Sequence, residues 1–471
     1  MSRHRIVTLL LVTFCLISLF GCNMSLGRLH TVDASQHVEA ARNGLARTPL
    51  LGWSSWSLTA TNANGYGKSW LTATHIKAQS DALRQKLQGY RYDYINIDSF
   101  WAQDPSQAVD AFGRWTYDTS RFPNGIADVA AYVHRNGQKL GVYLNPGIAK
   151  AAVNQNTPIQ GTSCHAKDIA AQPLTDGNVF GDTYQINFSK PCAQAYINSE
   201  ANLLASWGVN FLKIDAISPG SGSSSASSSG NKNATIDNRP DVKAWALALW
   251  GKKIWLELSW SLDIHDISTW WWYANGWRID TDVECYCNTL VTWDHSVKAR
   301  FNDVAAWAPY AGPGGWNDLD SLDVGNGSMD GISLNERQSY MTLWAIQAAP
   351  LYSGDDLTTL DKDGLSMLTN KEVLAVDQAG HPAKLVSQSG NLQVWSARNN
   401  DGTYTMALFN LCSSTATVTL RWRDLGITNA PAVRDLWSHA AVVTPNDHLS
   451  VPLNTHASRL LKLIPTQNKL R

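Results

Sequence analysis

A chain of 471 residues exceeds one typical domain and has room for a large domain plus a smaller one. Its net charge is −1 and only 16% of residues are charged, so no basic stripe points to nucleic acid and no acidic run points to a disordered tail. The 21 tryptophans are the unusual count: most suit the core of a large domain, but tryptophan also offers an apolar face to the C–H side of a sugar ring.

Taken in chain order, residues 1–22 read as an export signal. Arg3 and Arg5 form a basic start, and Ile6 to Phe20 form an apolar stretch too short for a comfortable membrane span. The run Leu19-Phe20-Gly21-Cys22 resembles a bacterial lipobox, which makes Cys22 a lipidation candidate; plain signal cleavage nearby is the alternative. The expected location is therefore outside the cytoplasm: periplasmic, anchored at the cell surface, or secreted. A membrane enters only through that lipid anchor. Residues 23–47 read as a linker.

Residues 48–378 alternate strand-like and helical patterns. Tyr94–Asp98 reads as a strand, and Ile126, Val129, Ala130 and Val133 form a helix face closed by Asn136-Gly137. Leu140–Leu144 is the next strand. Ser189 is the expected cap of a helix with Pro191 in its first turn, running through Tyr196, Leu203, Leu204 and Trp207 to Gly208. Strands follow at Val209–Asp215, Ile254–Leu258, Trp277–Asp280, Trp316–Asp320 and Leu351–Ser353. About eight such units predict an α/β fold, a (β/α)8 TIM barrel, with a doubly wound open sheet as the competing arrangement. The Gly/Ser-rich stretch from Ser218 to Asn233 reads as a loop within this domain, since the barrel pattern resumes after it. Residues 379–471 change character: Leu392–Ser396, Tyr404–Phe409 and Ala416–Leu420 read as strands joined by polar turns, predicting a C-terminal antiparallel β-sandwich domain.

The polar residues collect at the C-terminal ends of the barrel strands: Asp98, Asn145, Asp215, Asp282, Asp318 and Asp320. That is where barrel enzymes place their chemistry. Lys213-Ile214-Asp215 and Arg278 through Asp282 each deliver a carboxylate beside a cation, and two carboxylates from separate strand ends are the minimal equipment for cleaving a glycosidic bond. For a single carboxylate, an ordinary loop acid is the simpler reading. Asp280, two residues before Asp282, is the decoy within the second run. Export permits disulfides. Among the cysteines, Cys164 with Cys192 is the preferred pair; Cys285-Tyr286-Cys287 offers a short bridge or, less readily, zinc ligands, though no CxxC pair or histidine cluster supports a metal. Cys412 reads as a buried thiol. No metal and no cofactor are expected.

An ordered series of motifs resembles glycoside hydrolase family 27, the α-galactosidase (melibiase) family. It comprises Thr48–Trp56, Asn96–Asp98, Gly141–Tyr143, Trp207–Asp215, Trp277–Asp282, Gly314–Asp320 and Trp344–Leu351. The resemblance implies a retaining exo-glycosidase acting on terminal α-D-galactosyl residues of oligo- or polysaccharides. It implies Asp215 as nucleophile and Asp282 as acid/base, with Trp53, Asp98, Tyr143, Lys213, Arg278 and Asp320 binding substrate. Trp53 would be a platform for the ring, Asp98 an acceptor for the 4/6-hydroxyl side, and Arg278 a contact near the 2-hydroxyl. Arg278 would also favour ionised Asp282, so burial or the Asp215 charge must raise that carboxyl again for it to act as an acid.

The chain departs from the pattern in several places. Family members often carry two aspartates where this chain has Asp98-Ser99, Ser259 replaces an acid, the cysteine usual after the nucleophile is missing, and residues 149–189 look inserted. A lost acceptor for a sugar hydroxyl can move specificity by orders of magnitude, and β-L-arabinopyranose is α-galactose without its exocyclic carbon. A β-L-arabinopyranosidase on the same scaffold is one alternative; a non-catalytic carbohydrate-binding surface lipoprotein is another.

Overall fold

The computed structural model describes residues 43–221 and 236–466. The signal peptide, Cys22 and its lipidation, most of the expected linker and most of the Gly/Ser loop lie outside the described residues. Among the described residues, no helix is long and apolar enough to cross a membrane.

Eight parallel strands form one curled sheet: β1 Leu51–Ser54, β2 Tyr94–Ile97, β3 Lys139–Leu144, β4 Val209–Ile214, β5 Trp255–Leu258, β6 Gly276–Arg278, β7 Trp316–Asp318 and β8 Leu351–Ser353. The spatial order is β8-β1-β2-β3-β4-β5-β6-β7. Sequence order with one circular shift is what a right-handed (β/α) winding produces. The seam between β7 and β8 is closed just past β7, where Leu322 bridges Ser353 in parallel. The strands are almost wholly buried because helices cover their outer face and side chains fill the inner one, which is why they read as continuous apolar runs.

Helices occupy the crossovers: α1 Ala73–Lys86, α2 Gly125–Arg135, α3 Ala193–Trp207, α4 Arg239–Leu249, α5 Ile267–Tyr273 and α6 Leu334–Ile346. In α2 the expected face, Ile126, Val129, Ala130 and Val133, is buried throughout. The start of α3 differs from expectation. Ser189 and Pro191 lie before the helix, whose N-cap is Cys192. The Ser189 hydroxyl and amide are instead spent on Asn187 Oδ1, at 2.6 and 3.0 Å, in a local turn. Gly141 in β3 marks a close approach: a Cβ there would stand 2.7 Å from Asn96 Oδ1 and 2.8 Å from the Phe211 ring.

The last barrel helix ends at Gln378, and antiparallel strands begin at Lys384. One sheet has six strands: β9 Lys384–Ser389, β10 Leu392–Arg398, β11 Tyr404–Asn410, β13 Ala432–Asp435, β14 Ala440–Val442 and β16 Ser458–Ile464. The other pairs β12 Ala416–Arg421 with β15 His448–Leu453. Met406, Leu408, Val418, Leu420, Trp422 and Leu461 share one buried core with their neighbours. Helix α6 ties the barrel to this sandwich: Ser339 Oγ donates to the His456 carbonyl, and Trp437 Nε1 donates to Thr342 Oγ1 at 2.9 Å.

Candidate active site

Strand β4 ends at Ile214, so Asp215 emerges where the chain leaves the sheet. Its backbone amide is still held by the Leu144 carbonyl of β3 at 2.9 Å. Lys213, two residues earlier, points the same way. Its register partner in β3 is Tyr143. The Tyr143 hydroxyl donates to Asp215 Oδ2 at 3.0 Å, and the Ala216 amide donates to Oδ1 at 2.8 Å. Lys213 Nζ reaches Asp98 Oδ2 at 2.9 Å, both groups buried. The Asp98 amide in turn donates to Ser55 Oγ at 2.9 Å, which fixes the end of β2 against the end of β1. Burial raises the Asp215 carboxyl above its ordinary value; the Lys213 ammonium opposes that rise, and the Asp282 and Asp98 carboxylates add to it. Burial works against the Lys213 charge, but Asp98 and Asp215 outweigh it and hold the amine above the usual lysine range.

The second carboxylate stands opposite. Arg278 ends β6, and four residues later Asp282 turns back onto it: Arg278 Nη2 is 2.9 Å from Asp282 Oδ1 and 2.8 Å from Asp320 Oδ2. Asp282 Oδ2 accepts from Trp56 Nε1 at 3.2 Å and from the Tyr286 hydroxyl. Burial pushes the Asp282 carboxyl up, but Arg278, Lys213 and the Tyr286 hydroxyl together pull it below its ordinary value. The rise expected of Asp282 is therefore not what the free site provides: the Arg278 and Lys213 charges and the Tyr286 hydroxyl outweigh burial. Behind it, Glu284 accepts from Ser57 Oγ at 2.6 Å, and burial with the Asp320 and Asp282 charges raises its carboxyl well above its ordinary value. The decoy Asp280 faces away and pairs with buried Arg300.

The structure thus brings Asp98, Tyr143, Lys213, Asp215, Arg278, Asp282 and Asp320 to one end of the barrel. One of the expected substrate contacts, Trp53, is closed off. Trp53 has no exposed surface: it lines the barrel interior, and its Nε1 is spent on the Asp355 carbonyl at 2.7 Å, so it presents no platform. Arg278 is buried with its Nη2 committed to Asp282 and Asp320, while its Nε and Nη1 have no partner among the described residues and are left as donors. Trp56, Tyr286 and Glu284 were not singled out from the sequence. The second tryptophan of Gly52-Trp53-Ser54-Ser55-Trp56 opens a short helix beyond β1, and this turn carries it to the rim. Away from the pair, Cys164 is joined to Cys192 and Cys285 to Cys287. Cys412 is a free, partly exposed thiol, not a buried one.

Chemically, the arrangement offers two carboxylates from different strand ends, each beside a cation, in a site otherwise lined by hydroxyl, ammonium and aromatic groups. That is equipment for acid- and nucleophile-assisted cleavage of a glycosidic bond.

Comparison with known proteins agrees with this architecture. The family model described as alpha galactosidase A matches residues 48–179 and 159–379, and that of the alpha galactosidase C-terminal beta sandwich domain matches residues 389–463. Alpha-galactosidase 2 of Arabidopsis thaliana is 30% identical over 436 residues, spanning 92% of this chain and 93% of the relative. Among solved structures, a β-L-arabinopyranosidase from Geobacillus stearothermophilus overlaps with a TM-score of 0.79 at 29% identity, covering 92% of this chain and 99% of that one. Alpha-galactosidase I from Mortierella vinacea overlaps with a TM-score of 0.68 at 25% identity, covering 90% and 98%. With its eight-stranded barrel, its C-terminal sandwich and both family models matched along most of its length, the chain belongs to glycoside hydrolase family 27, the α-galactosidase family.

Proposed function

We propose that this glycosidase removes terminal α-D-galactosyl residues from oligo- or polysaccharides with retention, through a covalent glycosyl-enzyme. The observation that carries the reading is the pair Asp215 and Asp282 at one end of the barrel, each carboxylate hydrogen-bonded by its own set of donors. Asp215 attacks the anomeric carbon; the bond to the leaving oxygen breaks as Asp282 delivers its proton to that oxygen. Water then replaces the leaving group, gives its proton to Asp282 and displaces Asp215. The electrostatics support this order of roles. While Asp215 is ionised, its charge favours a proton on Asp282; once Asp215 is esterified that charge is gone, and Arg278 and Lys213 favour the ionised base. In the free site the donors to Asp282 prevail, so substrate must displace some of them before Asp282 carries its proton. Asp98 and Lys213 are the proposed hydroxyl-binding pair.

Two observations favour β-L-arabinopyranoside as a second reading. Ser99 stands beside Asp98 without a carboxylate, and the chain overlaps an arabinopyranosidase along 92% of its length. Initial rates on nitrophenyl α-D-galactopyranoside and nitrophenyl β-L-arabinopyranoside, with Asp215→Ala as control, test both. A galactoside preference lost in the variant supports the first reading, and an arabinoside preference moves the substrate while keeping the mechanism. No turnover of either, with sugar binding intact, favours a carbohydrate-binding protein.

A further inference from the structure

Beyond the catalytic pair, the segment Cys285-Tyr286-Cys287 touches Asp282 without belonging to either strand end. Its backbone is anchored. The Asn62 amide donates to the Cys287 carbonyl at 2.7 Å, Thr61 Oγ1 donates to the same carbonyl at 3.1 Å, and Asn62 Nδ2 donates to the Tyr286 carbonyl at 2.9 Å. The Cys285–Cys287 bridge closes the segment into a small ring. Tyr286 projects from it with a left-handed backbone, φ 51°, and its side of the molecule is open: the residue is 50% exposed. From there its hydroxyl donates to Asp282 Oδ2.

Tyr286 is also part of an aromatic rim. Its ring meets Trp56 edge-on at 6.4 Å, and Trp56 stacks on Phe100 at 5.8 Å. Lys68 Nζ lies 4.7 Å from the Phe100 ring centroid. Asp282 is the group that must meet the leaving oxygen, so aromatic faces gathered around its outer oxygen border the leaving group and not the sugar that is attacked. Exposed aromatic faces suit a pyranose ring, whose C–H side is apolar. The Tyr286 hydroxyl also occupies Oδ2, the carboxylate oxygen on the open side; Oδ1 is held by the buried Arg278.

We infer that Tyr286 is a leaving-group-side residue of this enzyme, its ring forming with Trp56 and Phe100 a subsite for a sugar leaving group and its hydroxyl positioning Asp282 until the substrate oxygen arrives. The inference rests on the glycosidase reading above and adds the residue that favours saccharide over small leaving groups.

The test compares two substrates of the same glycosyl unit, α-D-galactosyl fluoride and an α-D-galactosyl disaccharide, or the β-L-arabinopyranosyl pair if that sugar is preferred. Fluoride departs without an aglycone ring and with little need of a proton donor. Tyr286→Ala is expected to lower the ratio of disaccharide to fluoride kcat/KM about tenfold, mainly through KM. Tyr286→Phe keeps the ring and removes a donor to the ionised carboxylate. Its basic limb on the disaccharide is expected at higher pH than the parent's, because the Asp282 carboxyl rises when that donor is lost. Equal losses on both substrates in Tyr286→Ala, or a Tyr286→Phe profile that superimposes on the parent's, overturn the assignment. Fluoride turnover by the parent that Asp215→Ala abolishes establishes the underlying glycosidase reading separately; its absence overturns that reading and this one with it.

Discussion

Replacing Lys213 by Met removes the cation on which both halves of the nucleophile side depend. The Lys213–Asp98 pair is buried, with Nζ 2.9 Å from Oδ2. At that distance and an effective dielectric of about 20 the gross attraction is roughly 6 kcal/mol. Desolvation offsets part of it, and breaking a buried pair by removing one partner typically costs about 3–5 kcal/mol, because the other charge is left uncompensated. For a chain of this size that corresponds to a fall in Tm of about 4–6 °C. The kinetic consequence is sharper. Burial already raises Asp215, and Lys213 is the strongest influence holding it down. Without the ammonium the carboxyl rises further, and a nucleophile that must be ionised loses activity from the acid side first. The acidic limb of kcat/KM is expected to move up by about 1–3 pH units, the range an adjacent opposite charge produces. Thermal denaturation with pH–rate profiles of Lys213→Met, Asp98→Asn and the double variant reads both effects. Asp98→Asn alone should not move the acidic limb up, because the Asp98 charge itself adds to the rise of Asp215, and the double variant should regain part of the lost stability. A Lys213→Met enzyme with the parent's Tm and acidic limb refutes the reasoning.

Three further perturbations separate function from support. Asp282→Asn should lower kcat/KM on a saccharide by about 100- to 10,000-fold, the usual contribution of a general acid. Asp280→Asn should instead cost about 3 kcal/mol of stability by unpairing buried Arg300 while activity stays within a few-fold; the opposite pattern in a steady-state assay would exchange their roles. Trp53→Ala should destabilise by about 3–5 kcal/mol as a fully buried aromatic, whereas Trp56→Ala should leave Tm nearly unchanged and lower kcat/KM at least tenfold; chemical denaturation and kinetics on the same preparations decide it. Glu372 joins the last barrel helix to the sandwich through Arg434 and His439, which hold its carboxyl down to about 2. A depressed carboxyl stabilises the fold above its unfolded value and loses that contribution as pH falls through the folded one. The Arg434 and Glu372 side chains are 44% and 31% exposed, so Glu372→Gln should cost only about 0.5 kcal/mol near pH 6 and nothing near pH 2. A Tm difference that grows on acidification contradicts this.

The barrel was legible because its strands are buried on both faces: Tyr94–Ile97, Lys139–Leu144 and Val209–Ile214 admit few polar residues until the point where each leaves the sheet. The sandwich was read only in part, for the converse reason. Strand β9, Lys384–Ser389, is largely exposed and polar, and β15, His448–Leu453, alternates around a proline, so neither stands out from a turn. Asp215, the proposed nucleophile, was legible as the carboxylate just past an apolar strand, whereas Asp282 follows its strand only after Asp280 and Thr281. Tyr143 and Arg278 were named among their neighbours, but Trp56 and Ser57 were not, because they come from far along the chain. Trp56 reaches Asp282 across 226 positions and Ser57 reaches Glu284 across 227.

The Trp53 misreading shows how local that limit is. Both tryptophans of Gly-Trp-Ser-Ser-Trp are compatible with a ring platform by composition. What separates them is that β1 stops at Ser54 and a helix starts at Trp56, so the first stays in the barrel interior and the second turns to the rim. The same geometry explains why the acid/base is harder to foresee than the nucleophile. Asp215 is placed by a strand and neighbours fixed by register, whereas Asp282 is placed by a loop whose charge balance depends on Arg278, Trp56 and Tyr286 together. On the function proposed above, recognition of the attacked sugar falls to the strand ends around Asp98 and Lys213 and recognition of the leaving group to the loop that carries Tyr286, so substitutions in the two places are expected to alter them independently.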